Sequence, residues 1–175
     1  IGGEKLKVKR FFFIMKKWKK LELEACWFAT GKTTYEEMAD KHDYVGNFKP
    51  LKSDKRTIAK TLAVYSAFTE GLQLFSSFAI LLNFPRFGKM KGMGQIVTYS
   101  IRDESMHVEA MTKLFREFIQ ENIEIWTDDF KAELYQICRE MVELEDKFLD
   151  LVFEMGDLKG LTKKDMYAYN RYIAD

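Results

Sequence analysis

From Asp54 onward the apolar residues recur at helical spacing. Ser53 and Asp54 offer an N-cap, and Ile58, Leu62, Tyr65, Phe68, Leu72, Phe75 and Ala79 then mark one face of a helix predicted to run through Leu82. Asn83-Phe84-Pro85 is expected to stop it, because proline has no N–H for the next helical bond. Gly88, Gly92 and Gly94 predict a flexible corner. A second helix is expected from about Gln95 to Asn122, through Val97, Ile101, Met106, Ala110, Leu114 and Phe118. A third is expected from about Thr127 to Met155, ended by Gly156 and Gly160, with Thr162 to Asp165 capping a last short helix. Upstream of Asp54 the pattern is weaker. Residues 4–30 are long enough for one helix, but Phe11, Phe12 and Phe13 in a row are not amphipathic. Thr33 to Glu36 looks like a capping box for a short helix through Lys41. Long helices joined by short corners predict an all-α bundle.

Composition changes this picture little. The chain is 47% hydrophobic and 31% charged, which is ordinary globular composition. A formal net charge of +1 gives no global field toward nucleic acid or anionic lipid. The basic run from Lys5 to Lys20 is a local exception, read as a solvated or partner-facing helix. Cys26 and Cys138 have no metal-site or disulfide-framework spacing, so a reducing cytoplasmic setting is expected. No apolar run approaches the ~20 residues of a membrane span. Ile1-Gly2-Gly3 does not read as a signal peptide. Neither nucleic acid nor membrane is expected as a partner.

Candidate chemistry concentrates in the second long helix. Glu104 and His107 stand three residues apart and so project from one face, where a carboxylate oxygen and an imidazole nitrogen can share a metal ion. A solvated helix face produces the same spacing by chance. Glu70 sharpens the signal, because it sits between Phe68 and Leu72 in a stripe that otherwise looks buried. An ionised carboxylate there needs a cation, a salt bridge or a more exposed face. One Glu opposed to one Glu-x-x-His is half of a carboxylate-bridged two-metal site. Thr30-Gly31-Lys32-Thr33-Thr34 echoes a phosphate-binding loop but has Cys26 where that loop needs glycine, so it is rejected. Glu140, Glu143, Glu145 and Asp146 lie between apolar positions of the third helix, and most are expected on a solvated face.

Three ordered blocks then resemble the small subunit of class I ribonucleotide reductase. They are Phe68-Thr69-Glu70-Gly71-Leu72-Gln73-Leu74-Phe75-Ser76-Ser77-Phe78-Ala79, Asn83-Phe84-Pro85-Arg86-Phe87-Gly88-Lys89-Met90-Lys91-Gly92, and Ser100-Ile101-Arg102-Asp103-Glu104-Ser105-Met106-His107. The resemblance covers residues 39–122 and, more loosely, the remainder to Asp175. It implies a ferritin-like bundle that holds dinuclear iron or a manganese/iron pair and generates the radical or oxidant used to make deoxyribonucleotides. It also implies a homodimer that works with a large catalytic subunit. Glu70, Glu104 and His107 match metal ligands, Arg102 and Asp103 match residues that position that shell, and Leu74 and Phe78 match an apolar pocket beside the radical site. Apolar stripes of any bundle would also use Leu74 and Phe78.

The chain departs from that family upstream. The whole of residues 1–175 reads as one helical domain, with 1–38 divergent or unassigned and 39–175 as the family-like core. The family's other half-site needs a second Glu-x-x-His, but Ala39 stands three residues before His42, and Glu24 is followed three residues later by Trp27. Glu22, Glu24, Glu36 and Glu37 are the carboxylates left as candidates, and no radical tyrosine is identifiable. An incomplete chain, a split protein and a divergent, inactive bundle are the competing explanations, the first being the expectation. A different di-iron carboxylate protein is the remaining alternative.

Overall fold

A computed structural model of the chain describes Ala25, residues 39–48 and residues 54–175. The expected helix over 4–30, the Thr33 capping box, the basic run and the candidate ligands Glu22, Glu24, Glu36 and Glu37 lie outside the described residues. Helix α1 (Ala39–Gly46) precedes α2 (Lys55–Ala63), a π-helical segment (Val64–Gln73) and α3 (Leu74–Arg86), which follow one another without a break. Helix α4 (Lys91–Glu121), a 3₁₀ turn (Ile123–Ile125), α5 (Asp128–Val152) and α6 (Lys163–Ala174) complete the order. The described residues form no named strand; Leu158 and Leu161 make one isolated bridge. None of the described helices is long and apolar enough to cross a membrane.

The caps follow the sequence closely, the corners less so. Asp54 accepts a hydrogen bond from the Thr57 N–H at 2.9 Å, and Thr127 does the same for Phe130 at 3.2 Å. Thr162 and Asp165 form the full reciprocal capping box. Pro85 does not stop its helix, which continues through Arg86. A proline removes only its own N–H bond, and the following turn closes without it. The Gly88 N–H donates to the Pro85 carbonyl and the Lys89 N–H to the Phe84 carbonyl, with Gly88 at φ +77. That is a Schellman end, so Gly88 terminates a helix rather than loosening a corner. Gly92 and Gly94 lie inside α4, which starts four residues earlier than the spacing predicted. A Cβ on Gly94 would stand 2.4 Å from Pro85 Cγ, so this glycine lets α3 and α4 approach at their corner.

The π-helical segment is the larger departure from the predicted regular helix. The Leu74 N–H reaches back to the Thr69 carbonyl, five residues earlier, instead of four. Such wide turns are rare and recur at functional sites. Around this long helix, α4 packs along α2, the π-segment and α3, while α5 and α6 pack on the π-segment from another side and α1 lies on α5. The main core includes Tyr65, Leu74, Phe78, Leu81, Met141 and Phe148. A second cluster joins Ala59, Ala63, Ile119, Phe130 and Leu134 at the other end. The bundle is all-α, as the periodicity predicted, and of the ferritin-like helical type.

Candidate metal centre

Glu70 comes from the π-segment, and Glu104 and His107 come from the middle of α4. The two elements are in direct contact, and Gly71 faces Val108 where they meet. A Cβ at Gly71 would meet Val108 Cγ1 at 3.6 Å. One ligand atom from each of Glu70, Glu104 and His107 lies within 4.8 Å of the others. His107 Nδ1 and Glu104 Oε2 are 3.1 Å apart. Both carboxylates are only 3% exposed, whereas the His107 side chain is 36% exposed. Among the described residues this is the one group of three or more His, Cys, Asp or Glu with metal-binding geometry.

The donor set fits a metal ion. Two nearly dry carboxylates converge from adjacent helices, an arrangement whose charge repulsion a divalent cation relieves. Hard oxygen donors with a single imidazole suit iron or manganese. Leu74 and Phe78, one and two turns beyond Glu70, are 3% and 1% exposed in the main core. Arg102 and Asp103 are not brought to the cluster. Both are exposed and neither makes a hydrogen bond or ion pair with a described residue. Each residue along a helix turns the side chain by about 100°, so the position next to a buried Glu104 faces away.

A second buried ionic group went unread in the sequence. Glu145, expected with its neighbours on a solvated face, is fully buried, and the Lys41 ammonium pairs with it at 3% exposure. Of the four acidic residues singled out in this helix only Glu143 is exposed. Lys41 also stands 4.5 Å from the centre of the Phe148 ring. The signal was present: Glu145 sits four residues after Met141 and three before Phe148, squarely on the apolar stripe. Beside it, the Tyr44 hydroxyl donates to Glu140; burial first, then this bond, pushes the phenol well above its usual range. The Tyr65 hydroxyl donates to the Val45 carbonyl at 2.7 Å, and burial raises its pKa as well. These contacts fix α1 against α5 and the π-segment.

Comparison with known proteins agrees with this geometry. Residues 22–175 match the family described as ribonucleotide reductase, small chain, a match that begins within the stretch read as divergent. The ribonucleoside-diphosphate reductase small subunit of Invertebrate iridescent virus 6 is 42% identical, over 81% of this chain and 48% of the relative. The corresponding protein of Invertebrate iridescent virus 3 is 41% identical, over 81% and 42%. The subunit beta of the Chlamydia pneumoniae enzyme is 34% identical over 66% of this chain and 33% of that protein. A crystal structure described as a class I ribonucleotide reductase from Bacillus halodurans superposes with a TM-score of 0.74 at 24% identity, over 79% of this chain and 50% of that one. The chain thus spans half or less of the length of these relatives. With the matching family, the ordered motif blocks and the helical site in agreement, the chain belongs to the ribonucleotide reductase small-chain family.

Proposed function

We propose that this chain carries one half of the dinuclear metal centre of a ribonucleoside-diphosphate reductase small subunit. The observation that carries the reading is the meeting of two buried carboxylates and an imidazole from two crossing helices. Glu70, Glu104 and His107 would hold one side of a two-metal site of iron or of manganese and iron. When bound, that centre supplies the one-electron oxidant that starts deoxyribonucleotide synthesis in a large catalytic subunit. The chain's own residues do three things for it. Glu70 and Glu104 provide negative charge in a dry setting, His107 provides a neutral donor at the open edge, and Leu74 and Phe78 keep water from their face of the helix. Arg102 and Asp103, which face away from this cluster, have no part in holding these three ligands among the described residues. A homodimeric small subunit is part of the same reading.

The test is metal content after anaerobic loading with Fe(II) or Mn(II). Wild-type chain retains metal through desalting, whereas Glu70→Ala and His107→Ala lose affinity by roughly tenfold or more, with unchanged far-UV circular dichroism. Equal retention in both variants would refute the assignment and favour a structural bundle.

A further inference from the structure

One buried face of the π-segment and α3 is polar. Ser66, Thr69, Gln73, Ser76 and Ser77 follow one another at three- and four-residue steps, and none is more than 1% exposed. The Gln73 amide looks toward α5, where it donates to the Met141 carbonyl at 3.3 Å. The Asn170 amide of α6, also 1% exposed, donates to the next carbonyl of α5, Val142, at 3.3 Å and to Asp146 Oδ1 at 3.0 Å. All three partners are acceptors, so each amide must present its NH2 there and turn its carbonyl oxygen the other way. Gln73 Oε1 and Asn170 Oδ1 are buried and meet no hydrogen-bond partner among the described residues. The hydroxyls of Thr69, Ser76 and Ser77 meet none either. Elsewhere in the chain helical hydroxyls settle on the carbonyl four residues earlier, as Thr61, Thr98 and Ser105 do.

Helix geometry brings several of these atoms to one level of the bundle. Lys60 pairs with Glu133 and Gln73 with Met141, so the long helix runs parallel to α5. Ser77, one turn past Gln73, then comes level with Glu145, one turn past Met141. Helix α6 runs the other way along α5, with Tyr167 at Asp150 and Arg171 at Asp146, which puts Asn170 at that level too. The π-segment and α6 also pack against each other. An amide oxygen buried without a donor costs stability, and native proteins rarely leave one so.

We propose that this layer is a binding site for ordered water. One molecule donates its two hydrogens to the Gln73 and Asn170 side-chain oxygens and accepts from the Ser77 hydroxyl, the three contacts that a buried water typically makes. Water suits the set because two of the three partners can only accept. Gln73, Ser77 and Asn170 bring no charge, and Glu145 at that level is matched by Lys41, so nothing in the layer calls for a cation. The inference goes beyond the metal reading and does not rest on it. Its consequence for the site is one of position. Glu70 turns toward α4 and Gln73, three residues on, turns toward α5. The water bridge therefore ties the segment that carries Glu70 to α6 from the side opposite its ligands.

The test is a high-resolution crystal structure of the chain, together with urea unfolding of point variants. The expected result is density for a water about 2.8 Å from Gln73 Oε1, Ser77 Oγ and Asn170 Oδ1. Ser77→Ala should then lower the folding equilibrium constant roughly threefold to tenfold, because the water loses a partner. In a Gln73→Met background, where the shared water has already lost one anchor, the same change should cost less. If the layer is dry, Ser77→Ala removes a bare buried hydroxyl instead and raises stability, which overturns the inference. So does a structure in which the two amide oxygens find protein donors, or one whose density shows the shorter, roughly 2.4 Å contacts of a cation. Equal costs of Ser77→Ala in the two backgrounds overturn it as well. Metal retention is read separately, so the metal reading stands or falls without these outcomes.

Discussion

At the scale of single residues, two acidic side chains on apolar stripes had opposite fates in the sequence. Glu70 stands between Phe68 and Leu72, and its burial was legible. Glu145 stands between Met141 and Phe148 with the same signal, but three acidic neighbours disguised it as part of a solvated face. Its partner Lys41 lies more than a hundred residues away, so no local pattern could announce the pair. Removing one member of a buried pair strands the other. Lys41→Met should therefore cost about 3 kcal/mol or more, and Lys41→Met with Glu145→Met should cost less than the single change, read from urea midpoints. Glu133 shows the acid-side counterpart. Burial raises its pKa, but Lys60 and Arg56, the latter at 2.8 Å, outweigh that and hold it below its ordinary 4.5. The unfolded chain then binds more protons in that window, so the stabilisation is present above about pH 4.5 and is lost as pH falls through the lower folded value. Glu133→Gln should flatten the acid limb of the stability curve between about pH 5 and 3 and leave its slope at neutral pH unchanged.

At the scale of elements, the long helices from Asp54 onward were readable, whereas the corner after Pro85 and the π-turn were not. Caps depend on side chains a few positions apart, which is why Asp54 and the Thr162–Asp165 pair were anticipated. Thr127→Ala should destabilise the chain by about 1 kcal/mol in urea unfolding, with the metal site unaffected. The Pro85 boundary failed for a physical reason: a proline cancels one N–H, but a glycine three residues later can still close the turn. The π-segment had no signature at all in the periodicity. A single extra residue in the ladder shifts the register of everything after it without changing which residues are apolar.

At the scale of the whole molecule, the half-site was visible in sequence because its residues occupy two local motifs. The exposure of Arg102 and Asp103 was not, since it depends on what packs against the outer face of α4.

The contact between Gly94 and Pro85 gives the corner a mechanical meaning. Glu104 lies ten residues along α4 from Gly94, about 15 Å away, while Glu70 rides on the continuous helix that carries Pro85 in its last turn. The two carboxylates are thus carried on the arms of a pair of compasses whose pivot has no washer. Opening the pivot by about 4° would separate their tips by about 1 Å, enough to spoil a metal's bite while each arm stays helical. Gly94→Ala inserts such a washer, since its Cβ would meet Pro85 Cγ at 2.4 Å. Metal affinity should fall further than the loss of folding stability accounts for, and Pro85→Ala in the same chain should close the compasses and recover it. If affinity and stability decline together, the corner is only packing; if they part, residue 94 sets the gauge of a site it never touches.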